Sequence, residues 1–200
     1  MTAPRLLLVR HGETPWTRMG RIQGRADPGL HPEGEAQIAI LAGRLRAEWE
    51  AAGRAVALIA SPLRRAAESA AILAARLGKI RPQLDPRLME LDFGAWEGLT
   101  DAQVKQRWPT LRRSWKQTPD TVRLPGGESL AEARARWRDF LAGPPWNGTP
   151  ALAVVVTHAA MIRIALLEAR GEPLGRFREI AVAPASAHRF DPPVPTGKPV

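Results

Sequence analysis

The sequence predicts an α/β domain built on a mainly parallel sheet, and two observations carry that expectation. Three short apolar runs, Leu6-Leu7-Leu8-Val9, Ala55-Val56-Ala57-Leu58-Ile59-Ala60 and Ala151-Leu152-Ala153-Val154-Val155-Val156-Thr157, have the length of fully buried strands. Between them lie longer segments whose apolar residues recur at three- and four-residue spacing, the period of a helix. Strands alternating with helices give parallel sheets, and ligands of such folds sit beyond the carboxyl ends of the strands. Here those ends carry Arg10-His11-Gly12, Ser61-Pro62 and His158.

Each element has a local reason. The first run stops at an arginine, a histidine and a glycine, so a rigid strand end presents a permanent cation beside a titratable nitrogen. Residues 12–32 hold Gly, Pro, Asp and Arg without a period and read as a long loop, a length usually tied to function. An amphipathic helix follows over Glu33–Ala52, with Ile38, Leu41, Leu45 and Trp49 on one face. At Ser61-Pro62 the serine can cap and the proline can open a helix, which runs from Leu63 to Leu77 and ends at Gly78. Pro82 and Pro86 break regularity between 80 and 99. Short helices are expected over 100–108 and 110–117, a segment rich in Lys105, Arg107, Arg112, Arg113 and Lys116. Ser129-Leu130-Ala131-Glu132 is a capping box that opens a helix burying Leu130, Trp137, Phe140 and Leu141. Pro144, Pro145, Gly148 and Pro150 mark a turn before the third strand, and an apolar helix from Ala160 to Ala169 follows it. A last strand or two is expected in 180–190. The pattern implies one domain over 1–190 and a loose tail over 191–200, which holds four prolines.

Composition narrows the classes. The 200 residues suit one domain with a substantial core, and 44% hydrophobic content is ordinary for a globular protein. With no cysteine there are no disulfides and no thiolate metal sites. No segment has the length of a membrane span and no signal peptide is visible, so a soluble, cytoplasmic protein is expected. The net charge of +9 favours anionic partners. Most arginines, as in Glu132-Ala133-Arg134-Ala135-Arg136, alternate with Glu and Ala and read as solvated helix faces.

Two histidines and several arginines meeting a glutamate at one sheet edge suggest phosphoryl transfer through a histidine. Neutral imidazole attacks phosphorus, cations offset charge on the phosphate oxygens, and a carboxylic acid protonates the leaving oxygen. At this point the chain resembles the histidine phosphatase superfamily, also called phosphoglycerate-mutase-like. RHGETPWTRMGRIQG at 10–24, SPLRRAAESA at 61–70, LMELDFGAWEG at 88–98, LPGGES at 124–129 and VTHAAMIR at 156–163 follow the family's blocks in order.

The resemblance implies a three-layer α/β/α sandwich and assigns roles. His11 becomes phosphorylated, Arg10 and Arg65 clamp the phosphate, His158 hydrogen-bonds to it, and Glu90 is the proton donor. Thr17 stands where the family commonly has an asparagine that helps hold the phosphate. Ala159 replaces a glycine but keeps its N–H donor, and Gln23 and Gly24 line the entrance. Neither metal nor organic cofactor is expected. His31 and His188 fall in no matched block and are expected to be structural.

The resulting expectation is a metal-independent, histidine acid-type phosphatase acting on a small phosphorylated metabolite, with no nucleic-acid or membrane partner. A homodimer is compatible with it. A mutase is the alternative, disfavoured because Asp92 in Glu90-Leu91-Asp92-Phe93 would repel a substrate carboxylate and because the short chain has little material for a lid. A non-catalytic phosphate- or nucleic-acid-binding protein is the third reading, motivated by the net charge.

Overall fold

Alternate residues of a strand face opposite sides of its sheet, and the first strand shows what that does here. In β1 (Arg5–Arg10) Leu7 and Val9 enter one core, while Leu6 and Leu8 enter another. The computed structural model describes residues 5–53, 56–78, 80–146 and 150–191. Besides β1 the strands are β2 (Val56–Ala60), β3 (Gln83–Leu84), β4 (Leu152–Thr157) and β5 (Ala187–Phe190). They form one sheet in the order β3-β2-β4-β1-β5, in which only the β1–β5 pairing is antiparallel.

Two apolar clusters sandwich this sheet. On one face, Ile38, Leu41, Leu45 and Trp49 of α2 (Pro32–Ala52) and Leu73 of α3 (Arg64–Leu77) pack on Val9, Leu58 and Val154. On the other, Trp137 and Phe140 of α6 (Leu130–Ala142) and the apolar α7 (Ala159–Ala169) pack on Leu8, Ile59 and Val155. The result is a three-layer α/β/α sandwich with a mainly parallel sheet. Two short helices, α4 (Asp101–Arg107) and α5 (Pro109–Gln117), join the second face through Val104 and Trp115. Ser129 and Glu132 form the expected capping box at the start of α6. Among the described residues no helix is long and apolar enough to cross a membrane.

Several elements differ from the sequence reading. Residues 12–32 are not all loop: α1 (Pro15–Arg18) forms one turn, capped reciprocally by Thr14 and Thr17, and four residues are too few to show a period. β3 is likewise too short for alternation to reveal. Ser61 does not cap α3, whose N-cap is Leu63. The serine lies two residues before that N-cap, and its hydroxyl accepts from the Leu63 N–H and meets His158. Leu141 is only partly buried. Ala55, Gly148 and the tail over 192–200 lie outside the described residues.

Candidate active site

Strand register assembles the site. Arg10 pairs with Thr157 across β1 and β4, and the His11 N–H donates to the Thr157 carbonyl at 3.1 Å. The Ser61 N–H donates to the Val156 carbonyl at 2.9 Å, so the ends of β1, β4 and β2 lie side by side. His11 and His158 thereby meet with ring centroids 5.1 Å apart. Both are buried, as are Arg65, Ser61 and Glu90. Gly12 is required here because it abuts the Gly34 backbone in the first turn of α2, leaving no room for a side chain.

Hydrogen bonds define which nitrogen of each histidine is free. His11 Nδ1 lies 2.7 Å from the Gly12 carbonyl, which can only accept, so Nδ1 carries the proton. The lone pair is then on Nε2, where the Arg65 Nε–H donates at 3.2 Å. The Ser61 hydroxyl oxygen accepts from the Leu63 N–H at 3.3 Å and lies 2.8 Å from His158 Nε2. With the Leu63 N–H already donating to the hydroxyl oxygen, the hydroxyl donates its own proton to Nε2, and the proton of His158 is then on Nδ1. That Nδ1 is buried and has no protein partner. Burial, with Arg65 and other neighbouring cations, holds both imidazoles well below the ordinary histidine pKa, so both are neutral near pH 7.

The arginines are held by the backbone. Arg65 donates to the carbonyls of Gly24 at 2.6 Å and Ala26 at 2.8 Å, leaving two of its five N–H donors unspent. Gly24 has φ +53°, and a β-carbon there would overlap the Glu97 carboxylate, which accepts from the N–H groups of Arg25 and Ala26. Thus Gly24 acts on Arg65 through its carbonyl. Arg10 donates to the Val182 carbonyl at 2.6 Å, while its buried Nε has no partner. Thr17 Oγ1 accepts from Gln23 Nε2 at 2.9 Å, and Thr14 Oγ1 donates to Gln23 Oε1 at 2.9 Å, so these three side chains form one cluster. Ala159 opens α7, and its N–H is among the first-turn donors that lack an intrahelical acceptor.

Glu90 completes the group. It accepts from the N–H of Leu91 at 2.9 Å and that of Ala160 at 3.2 Å. Desolvation raises its pKa against the opposing pull of Arg65, Arg10 and Arg163. A carboxyl whose pKa burial raises, set beside a neutral imidazole and buried guanidiniums, is placed to hand a proton to an anionic ester. Three cations gathered around one carboxyl also leave the pocket short of negative charge, which a bound anion would supply. Among the described residues no three His, Asp or Glu side chains group to hold a metal ion.

The whole arrangement can be compared with known proteins. Residues 6–193 match the histidine phosphatase superfamily (branch 1). The chain belongs to that family. One relative, the bifunctional protein Rv2228c of Mycobacterium tuberculosis, is 38% identical over 165 residues. Those residues are 82% of this chain and 44% of that protein, so the chain spans less than half the length of that relative. Phosphoserine phosphatase 1 of Hydrogenobacter thermophilus is 33% identical over 176 residues, 86% of this chain and 79% of that one. Among solved structures, the mycobacterial glucosyl-3-phosphoglycerate phosphatase Rv2419c in complex with inorganic phosphate superposes with a TM-score of 0.76 at 30% identity, covering 94% of this chain and 89% of the other.

Two arginines matter more than their sequence context suggested. Arg136 is not on a solvated face. It grips Glu128 at 2.9 Å and donates to the carbonyls of Arg87 at 2.6 Å and Met89 at 2.9 Å, with that of Glu90 at 3.4 Å. A repeating Glu/Ala/Arg helix pattern cannot reveal what packs against it. Arg163 lies near Glu90 and donates to the Ile180 carbonyl at 2.9 Å. Its place one turn into α7, on the side of Ala159 and Ala160, was the available signal. Asp92 is paired with Arg25 at 3.4 Å and accepts from the Gly94 N–H at 2.9 Å, so its charge is compensated and it does little to repel a carboxylate. His31 caps α2, and His188 bonds with Ser186 on the β5 side of the sheet.

Proposed function

We propose that this histidine phosphatase hydrolyses small phosphomonoesters through a phosphohistidine at His11, without a metal. The observation that carries the reading is a neutral imidazole with its lone pair on Nε2, near two buried donors, Arg10 Nε and His158 Nδ1, that have no protein partner. A phosphoryl group would satisfy both.

In the first step His11 Nε2 attacks phosphorus, forming the P–N bond while the P–O bond to the alcohol breaks. Glu90 passes its proton to the departing oxygen. Arg10, Arg65 and His158 donate to the phosphoryl oxygens, with the Ala159 N–H and Thr17 at the periphery, and so spread the in-line charge. Glu90, now ionised, takes a proton from water as that water attacks phosphorus. The P–N bond breaks, and inorganic phosphate leaves with Glu90 reprotonated. The guanidiniums supply the positive charge that a metal supplies elsewhere.

The test is phosphate release from p-nitrophenyl phosphate in EDTA. The reading expects activity in wild type and its loss in His11→Ala. It also expects Glu90→Gln to slow alkyl phosphates far more than aryl ones, because aryl leaving groups need little protonation. Inactivity of wild type, or full activity of His11→Ala, sinks the mechanism. Incubation of 3-phosphoglycerate with a bisphosphate primer separates hydrolysis, which yields free phosphate, from a mutase, which yields the isomer.

A further inference from the structure

The loop that holds Arg65 has a fixing point of its own. Its carbonyls serve the guanidinium, which donates to Gly24 at 2.6 Å and to Ala26 at 2.8 Å. The N–H groups of the same stretch go to a different partner. Arg25 N–H donates to Glu97 Oε1 at 2.7 Å, and Ala26 N–H donates to Glu97 Oε2 at 2.9 Å while closing a turn on the Gln23 carbonyl at 3.0 Å. Successive N–H groups that converge on one point form a concave anion seat, and here a carboxylate of the chain itself fills it. Gly24 leaves the room, since a β-carbon there would take the space of that carboxylate.

Glu97 accepts a third bond, from the Phe93 N–H at 3.2 Å, so among the described residues every hydrogen bond of its carboxylate is to backbone. The Arg25 guanidinium is engaged elsewhere, on Asp92 and Glu128. The far end of the loop is tied separately: Asp27 accepts from the Arg64 N–H at 2.6 Å at the start of α3, and Glu68 accepts from the Leu30 N–H at 2.7 Å. Without Glu97 the loop stays attached from residue 27 onward, but the carbonyls that aim Arg65 lose their backing. Burial also works against the charge of Arg65, and Glu90, Asp27 and Glu97 oppose that shift.

We propose that Glu97 is a positioning residue for the phosphate clamp: through the Gly24–Ala26 backbone it fixes the direction in which Arg65 presents its remaining N–H groups beside His11 Nε2. The proposal rests on the hydrolase reading for its effect on rate, while its effect on phosphate binding stands apart from turnover. Glu97 touches neither the ester nor the reacting nitrogen, and it acts on Arg65 alone, not on the proton donor. Glu90 keeps its own supports in the Leu91 and Ala160 N–H groups.

Two variants and one probe, inorganic phosphate, test it. Glu97→Ala leaves the seat without an acceptor. Glu97→Gln keeps Oε1 but sets an NH₂ group against the Ala26 N–H, a milder fault that serves where the alanine variant fails to fold. The calorimetric Kd of phosphate is expected to rise about tenfold in Glu97→Ala and about threefold in Glu97→Gln. Solvent exchange of the Arg65 Nε–H, followed by ¹⁵N NMR, is expected to quicken in the same order. With p-nitrophenyl phosphate KM rises in parallel, and the alkyl-to-aryl ratio of kcat/KM stays within about twofold of wild type, because protonation of the leaving oxygen is untouched. A wild-type Kd and exchange rate in the folded variants, even with a lowered Tm, overturn the proposal. So does a fall in the alkyl-to-aryl ratio like that of Glu90→Gln, which would place Glu97 on the acid side. Weakened phosphate binding in the variants of a protein that hydrolyses nothing keeps the positioning role and removes the hydrolase, whereas hydrolysis by wild type with phosphate binding unmoved in the variants does the reverse.

Discussion

Replacing Arg136 by alanine tests whether the segment bearing Glu90 is held from behind. The guanidinium bonds both oxygens of Glu128, at 3.1 and 2.9 Å, and reaches three of the four carbonyls from Arg87 to Glu90, missing that of Leu88. The two side chains are 17% and 16% exposed, so the pair is mostly, not wholly, out of water. Removing one partner of a buried pair costs about 3–5 kcal/mol. Arg25 still bonds Glu128 at 2.8 Å after the change, which puts the expected loss at the lower end, about 3 kcal/mol. For a chain of this size that is a fall in Tm of about 6–12 °C. If the Glu90 carboxyl then drifts by about 1 Å, hydrolysis of alkyl phosphates falls about a hundredfold. Aryl phosphates, which need less protonation, lose much less. The assay is thermal unfolding together with the alkyl-to-aryl ratio of kcat/KM, with Arg136→Lys as a control that keeps charge but lacks the fork. A Tm within about 2 °C of wild type with an unchanged ratio refutes the reasoning, because water would then be doing the same work.

Three further outcomes are expected. Ser61→Ala frees His158 to populate both tautomers, visible as a change in its ring ¹⁵N shifts, and lowers kcat/KM about tenfold through loss of one positioned donor. Gly24→Ala combines a left-handed backbone with displacement of the Glu97 carboxylate, costing about 3 kcal/mol and raising KM through a misplaced Arg65, as read by Tm and by saturation kinetics. His11 stays neutral when folded but takes a proton below its ordinary pKa of 6.5 when unfolded, so the unfolded chain binds more protons there and stability falls on acidification. The Tm advantage of wild type over His11→Asn therefore shrinks between pH 7.5 and 5.5, and growth of that advantage contradicts the buried, neutral imidazole. Glu90, whose pKa is shifted upward, acts in the opposite sense above 4.5 in both proteins and cancels in the difference.

The frame was legible because strands and long helices repeat. Val154 and Val155 sit in a short apolar run of strand length, and Ile38, Leu41, Leu45 and Trp49 mark one stripe, so the α/β frame with a mainly parallel sheet follows from periodicity, whereas the three-layer sandwich was what the family resemblance implied. What escaped was aperiodic. The single turn of α1 rests on one cap, and the two residues of β3 rest on an edge. Ser61 has a capping residue's signature, but its partner lies in β4's following turn, far along the chain. The same limit hid Arg136: the helix pattern describes its neighbours in sequence, whereas its function depends on carbonyls from a different loop. Strand ends brought His11, Ser61 and His158 into view together because register, unlike a side chain's reach, can be anticipated from where the runs stop.

The side-by-side placement of β1 and β4 also has a temporal meaning. His11 and His158 are 147 residues apart in sequence, and they meet through the pairing of β1 with β4, in which Arg10 lies opposite Thr157. No partly made chain that stops before β4 can possess the pocket, and no intermediate lacking the central pairing can turn over an ester. Closing so long a loop is slow and comes with global folding. Recovery of activity during refolding is thus a clock for the formation of the middle of the sheet, and a synthesis-arrested protein is silent until β4 and His158 have emerged.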